Sequence, residues 1–297
     1  MNSTVRGVSL ITLSSLAFCA MSVLIKLIPN IDSYKTTLFR FMIGMAVLGT
    51  AAQFGRIKLN FVNSRLLLLR GLFYGAGAFL FFLSISKLGI ARGTILSCTA
   101  PIFAAVCGMI FLREKNAWWQ WLALGLAVFG VYLLFQEKEI NAAALLHVGK
   151  YEVLAVAGAF FAGLSAVVIK KLHATDSTYV IFFSQSVIGL WLMVVPANVV
   201  PCSIGYVGGV ILLGVGVTAA IGQLLMIEGY RHTSVTAGSL LGMTLPVFNF
   251  LVGVLFFREH MPVNCIVGSV FVIISCLLVV VGKNNGRVLT ASGNAGI

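Results

Sequence analysis

Ten long apolar runs dictate most of what this chain can become. They cover residues 7–28, 34–53, 68–86, 93–112, 118–136, 152–169, 179–199, 206–227, 238–257 and 262–282. A helix needs about 20 apolar residues to cross the hydrocarbon core of a bilayer. Strands of a membrane barrel are about 10 residues long and alternate apolar with polar. Runs such as VNCIVGSVFVIISCLLVVVG do not alternate. The expected fold is an all-α integral membrane bundle of ten transmembrane helices with almost no soluble mass. Only 9% of the residues are charged, against about a quarter in a soluble domain, so lipid must solvate the surface.

The formal net charge of +12 would suggest nucleic acid in a soluble protein. Here the basic residues flank the runs, and no nucleic-acid partner is expected. With the N-terminus in the cytoplasm, 12 Lys and Arg fall on the cytoplasmic side, Arg70 counted among them, and 7 fall opposite. This positive-inside lean places both termini in the cytoplasm. The first run continues to Lys26 without an A-x-A site, so it reads as an uncleaved helix. The six cysteines show no metal-ligand spacing and read as small apolar fillers. No metal and no cofactor are expected.

The chain repeats itself. At an offset of 145, Gly71 matches Gly216, Gly77 matches Gly222, Gly93 matches Gly238, Pro101 matches Pro246, and Arg113-Glu114 matches Arg258-Glu259. At an offset of 144, Lys26 matches Lys170, Asp32 matches Asp176 and Phe39 matches Phe183. Each copy holds five runs, an odd number, so the second copy enters the membrane from the opposite side. Inverted repeats of this kind build many secondary transporters. The copies are residues 7–136 and 152–282, followed by a flexible cytoplasmic tail at 283–297.

Two stretches sharpen this. GTILSCTAPIFAAVCGMIFLREKNAWWQWLALGLAVFGVYLL and GSLLGMTLPVFNFLVGVLFFREHMPVNCIVGSVFVIISCLLVV share a small-residue start, an internal proline, a glutamate at the helix end and a small-residue-rich closing helix. Both resemble the second half of an EamA repeat, and LFRFMIGMAVL is similar to the second helix of the first one. The resemblance covers residues 7–282. It implies the drug/metabolite transporter superfamily, two inverted five-helix repeats and a central cavity lined by helices 1–4 and 6–9. Arg40 departs from the symmetry, since Ser184 stands at the matching position.

Arg40 is the sharpest candidate for binding. It lies about 9 Å inside the second run at 1.5 Å per residue, where a cation faces protein or a water-filled cavity. One reading has it hold a carboxylate or phosphate of the solute. The other has it snorkel to the outer headgroups or pair with Asp32. Tyr74, Ser97, Gln185, Gln223 and Asn249 join it as polar residues inside apolar runs, where most such residues are interhelical glue. Pro101 and Pro246 are candidate hinges, each placed mid-helix and freeing the carbonyl four residues earlier. Arg113, Glu114, Arg258 and Glu259 are a candidate structural anchor or gate, with the adjacent arginine or a neighbouring helix end as the partner of each glutamate.

All eight acidic residues fall at expected helix ends or in loops. The expected function is an alternating-access transporter of a small organic metabolite bearing an anionic group, by exchange or facilitated transport. Proton-coupled export of amino acids or drugs is the alternative, with Glu228 as the carboxylate to watch. The four histidines are scattered without an H-x-x-H motif, which argues against a membrane metalloenzyme. The expected setting is a bacterial inner membrane, with a small-molecule solute and the lipid bilayer as partners and a monomer or homodimer as the assembly.

Overall fold

The computed structural model describes residues 3–135, 149–199, 204–258 and 262–293. Among them the regular structure is entirely helical. The helices are α1 (Ser3–Lys26), α2 (Ser33–Gln53), α3 (Ser64–Leu88), α4 (Ile90–Ser97), α5 (Ala100–Leu112), α6 (Trp118–Leu134), α7 (Lys150–Leu172), α8 (Thr178–Ala197), α9 (Tyr206–His232), α10 (Val235–Gly242), α11 (Thr244–Phe257) and α12 (Val263–Gly293). Eight segments are long and apolar enough to cross a membrane, with α6 as a shorter apolar helix. The segment that combines α4 with α5, and the one that combines α10 with α11, are each a single candidate span. At about 31 Å from 1.5 Å per residue, the 21-residue α2 also matches the bilayer core, although it carries Lys35 and Arg40. The last helix runs on to Gly293, past the end of the apolar run at 282.

Local chemistry sets several of the helix starts. Asp32 accepts a hydrogen bond from the Tyr34 amide, Asn63 from Leu66, Ser177 from Val180 and Ser234 from Ala237. Each satisfies an amide that the first helical turn leaves without an intrahelical partner. Two ends are less ordinary. Arg113 after α5 and Arg258 after α11 are the non-glycine residues with positive φ among those described, at 54° and 51°. A left-handed residue there ends a helix abruptly and turns the chain back.

The two candidate hinges, Pro101 and Pro246, do not sit mid-helix. α4 and α5 are separated at Cys98–Thr99, and α10 and α11 at Met243. Pro101 is the second residue of α5 and Pro246 the third of α11. In a first helical turn the missing N–H has no partner to lose. Each proline therefore starts the second piece of a broken helix and does not kink a continuous one.

Packing pairs α1 with α9, α3 with α7, α2 with α8, and α6 with α12. It also sets α3 on α8 and α2 on α9, then α5 on α7 and α11 on α1. Glycines let these contacts close. A Cβ at Gly71 would meet Ile188 at 2.4 Å, one at Gly75 would meet Leu192, and one at Gly216 would meet Ile43 at 2.3 Å. α6 and α12 cross backbone to backbone at Gly130 and Gly268. By contrast Gly205, Gly209 and Gly242 face open space, so Gly205 and Gly209, four residues apart, mark no helix contact. Outward-facing side chains such as Leu68, Leu72, Leu213 and Val217 are exposed, as the lipid-facing surface of a bundle requires.

Candidate functional site

Polar side chains converge where α2, α3, α7, α8 and α9 meet. Arg40 on α2 donates from Nη2 to the Tyr74 hydroxyl on α3 at 3.3 Å. The same hydroxyl accepts from Gln223 Nε2 on α9. One turn before Tyr74 on α3, Arg70 is 1% exposed. It donates to Ser165 Oγ on α7 and to Gln185 Oε1 on α8, and its guanidinium lies over the Tyr74 ring at 4.8 Å from the centroid. Gln185 and Gln223 are fully buried. The partners of the two arginines are thus neutral, Tyr74 for Arg40 and Ser165 with Gln185 for Arg70, and the described residues of the cluster hold no carboxylate.

A cavity of about 10 Å³ lies at the centre, lined by Arg40, Phe41, Tyr74, Phe182, Gln185, Ala219, Ala220 and Gln223. That is room for about one water. Four buried polar atoms of the cluster lack a hydrogen-bond partner: Arg40 Nε, Arg70 Nε, Gln185 Nε2 and Gln223 Oε1. Each costs free energy while it stays so, on the order of 1–3 kcal/mol.

Of the residues marked from sequence, Arg40, Tyr74, Gln185 and Gln223 come together here. Ser97 and Asn249 do not. The Ser97 hydroxyl bonds back to the Gly93 carbonyl of its own helix at 2.8 Å, the usual fate of a helical serine. Asn249 is exposed on α11. Asp32, the other suggested partner of Arg40, instead caps α2.

Sequence reasoning missed Arg70, which it counted among the cytoplasmic loop charges. The signal was present: four leucines, Leu66 to Leu69, separate Arg65 from Arg70, so the apolar stretch already begins before Arg70.

The two ends of this region are tied shut. At one end, both oxygens of Glu114 accept from the Val235 amide, the first of α10, at 3.1 Å. The left-handed turn at Arg113 directs Glu114 back toward α10, so the glutamate's partner is a helix N-terminus and not its neighbouring arginine. A carboxylate there is favoured by the helix dipole. Asn116 Oδ1 accepts from Thr236 Oγ1 beside it at 3.0 Å. Lys170 Nζ donates to the carbonyls of Tyr230, Arg231 and Thr233 at the end of α9. Asp176 accepts from the Val62 and Asn63 amides that open α3.

Also at this end, Glu228 accepts from Thr178 Oγ1 at 2.6 Å; it lies five residues past Gln223 on α9, about one and a half turns at 3.6 residues per turn. His173, just past α7, shares the Ile227 carbonyl at 2.7 Å, and burial lowers its pKa below the ordinary histidine value. At the other end, Arg92 and Glu152 form an ion pair at 2.8 Å between α4 and α7. Arg258 holds the left-handed turn after α11, and Glu259 lies outside the described residues.

The sequence model of the EamA-like transporter family matches residues 5–136 and again 149–281. The pseudopaline exporter CntI of Pseudomonas aeruginosa is 26% identical over 275 residues, 91% of this chain and 94% of its own. Solute carrier family 35 member G1 of Mus musculus is 20% identical over 283 residues, 90% of this chain and 76% of its own. The riboflavin transporter of Vibrio cholerae is 26% identical over 194 residues, 63% of this chain and 61% of its own. One solved crystal structure of a protein, 15% identical, shares the fold with a TM-score of 0.72 over 93% of this chain and 94% of its own.

Proposed function

This chain belongs to the EamA-like transporter family and is a multi-pass membrane transporter, not an enzyme; from that premise we propose that it moves a small organic solute bearing an anionic group by alternating access. The observation that carries the anionic reading is the central cluster, which offers Arg40 and uncommitted hydrogen-bonding atoms around a cavity without a carboxylate. A cation left in a membrane interior is costly without a partner, and an anionic solute supplies one. The cargos named for the relatives differ from one another, so the cargo class is read from the site.

Ten spans in two inverted repeats, 7–136 and 152–282, fit this function. Supporting that arrangement are the two family matches, the matched left-handed arginines and the paired packing of α1 on α9 and α3 on α7. In it α4 with α5, and α10 with α11, form the fourth span of each copy. Both termini then face the cytoplasm of a bacterial inner membrane. The cavity is too small for a metabolite, so the halves must part for a solute to enter. Glu114 and Asp176, whose bonds cross between the two copies, form the gate on the cytoplasmic side, and Arg92 with Glu152 closes the outer side. Movement by exchange or facilitated transport fits a cluster that offers no carboxylate to relay protons.

A thermal-shift screen of organic acids, amines and neutral metabolites on purified protein tests this reading. Acids raise the melting temperature of the wild type and fail to raise that of Arg40→Ala. Stabilisation by amines alone, or equal stabilisation of both proteins by acids, contradicts it.

A further inference from the structure

We propose that the solute carries two acidic groups, one for Arg40 and one for Arg70, held on either side of Tyr74. The proposal rests on the anionic reading above and adds the second charge. The two cations share one tyrosine: Arg40 reaches its hydroxyl at 3.3 Å, and Arg70 covers its ring at 4.8 Å. Arg70 is 1% exposed, yet Ser165 and Gln185 are its hydrogen-bond partners, both neutral. A buried cation of this kind is retained at a cost unless an anion joins it.

The unpartnered atoms say what that anion is. Arg40 Nε, Arg70 Nε and Gln185 Nε2 are donors, and Gln223 Oε1 is the one acceptor among the four. The missing ligand is therefore rich in acceptor oxygens, and two guanidiniums match two carboxylates, or a carboxylate and a phosphate, in fork geometry. One hydroxyl or amine on the solute would serve Gln223.

The connectivity agrees. Tyr74, Arg40 and Arg70 all sit on α2 and α3, whereas Ser165, Gln185 and Gln223 sit on α7, α8 and α9. When the halves part to admit a solute, both arginines stay with Tyr74, Arg70 loses Ser165 and Gln185, and Tyr74 loses Gln223. One acid group then takes the place of Ser165 and Gln185 as acceptor for Arg70, and a second meets Arg40, whose Nε has no partner in the closed cluster.

The test is binding to full-length protein in nanodiscs, by calorimetry, of succinate against butyrate. These have the same four-carbon backbone and differ by one acid. Succinate binds about tenfold tighter than butyrate to the wild type. Arg70→Gln lowers succinate affinity about tenfold, toward the butyrate level, and Arg70→Lys restores part of the preference because it returns the charge. Equal wild-type affinity for the two acids overturns the two-acid proposal while the anionic reading stands. So does an Arg70→Gln protein that loses both acids in equal proportion, the mark of a packing role. Should Arg70→Gln fail to fold, the wild-type ratio and Arg70→Lys decide the matter. Binding of neither acid overturns the anionic reading and this proposal with it.

Discussion

Replacing Glu114 with glutamine isolates one bond of the proposed gate. The Val235 amide is the first of α10, where a helix supplies no internal acceptor. Its protection comes from the two Glu114 oxygens at 3.1 Å. Glu114→Gln keeps one acceptor oxygen of similar shape and removes the charge. The lost interaction with the helix N-terminus is worth about 0.3–1 kcal/mol, and up to about 2 where partly buried. A hydrogen bond to a charged group exceeds a neutral one by about 1 kcal/mol. These overlap, so the expected loss is about 1.5 kcal/mol, close to a tenfold rise in the open population. Hydrogen–deuterium exchange in nanodiscs reads this on the peptide spanning residues 233–238. The expected result is about tenfold faster exchange at its start, with peptides of α6 and α12 unchanged. Unchanged or slower exchange at Val235 would refute the reasoning.

Three further outcomes follow from the packing and the charges. Gly268→Ala places a Cβ 2.5 Å from the Gly130 carbonyl oxygen and 2.9 Å from the Leu134 amide, both backbone, and should cost about 1–3 kcal/mol in thermal unfolding. Gly49→Ala meets nothing within 4 Å and should be neutral or stabilising by about 0.4–1 kcal/mol. His173, with Lys170, Glu228 and Arg231 around it, has its pKa lowered chiefly by burial. The unfolded chain then binds the extra proton first, so this contribution is complete above the unfolded value of about 6.5 and is lost as the pH falls below it. The melting temperature should drop between pH 7 and pH 5, and His173→Gln should drop less.

The apolar runs foretold where helices lie because a bilayer demands length and hydrophobicity before anything else. They did not locate the breaks at Cys98–Thr99 and Met243. Hydrophobicity is continuous through both, and Pro101 and Pro246 mark a helix start as readily as a kink. Arg40, Tyr74, Gln185 and Gln223 were legible as polar residues in apolar surroundings. Ser97 and Asn249 carried the same signal without the same placement, since composition does not say which face of a helix a residue occupies. Arg70 was hidden by its position near the start of a run, where a basic residue reads as a topology signal. The partner of Glu114 lies 121 residues away, and only the left-handed turn at Arg113 explains how it gets there.

Counter-flow in proteoliposomes tests the central claim most directly. Vesicles loaded with unlabelled succinate are diluted into a trace of labelled succinate, and internal label is followed over time. A carrier that presents one site alternately to each side gives a transient overshoot of label that saturates with external succinate. Arg40→Ala vesicles give none. Label that merely equilibrates, without overshoot and without saturation, would mark a pore and contradict the account.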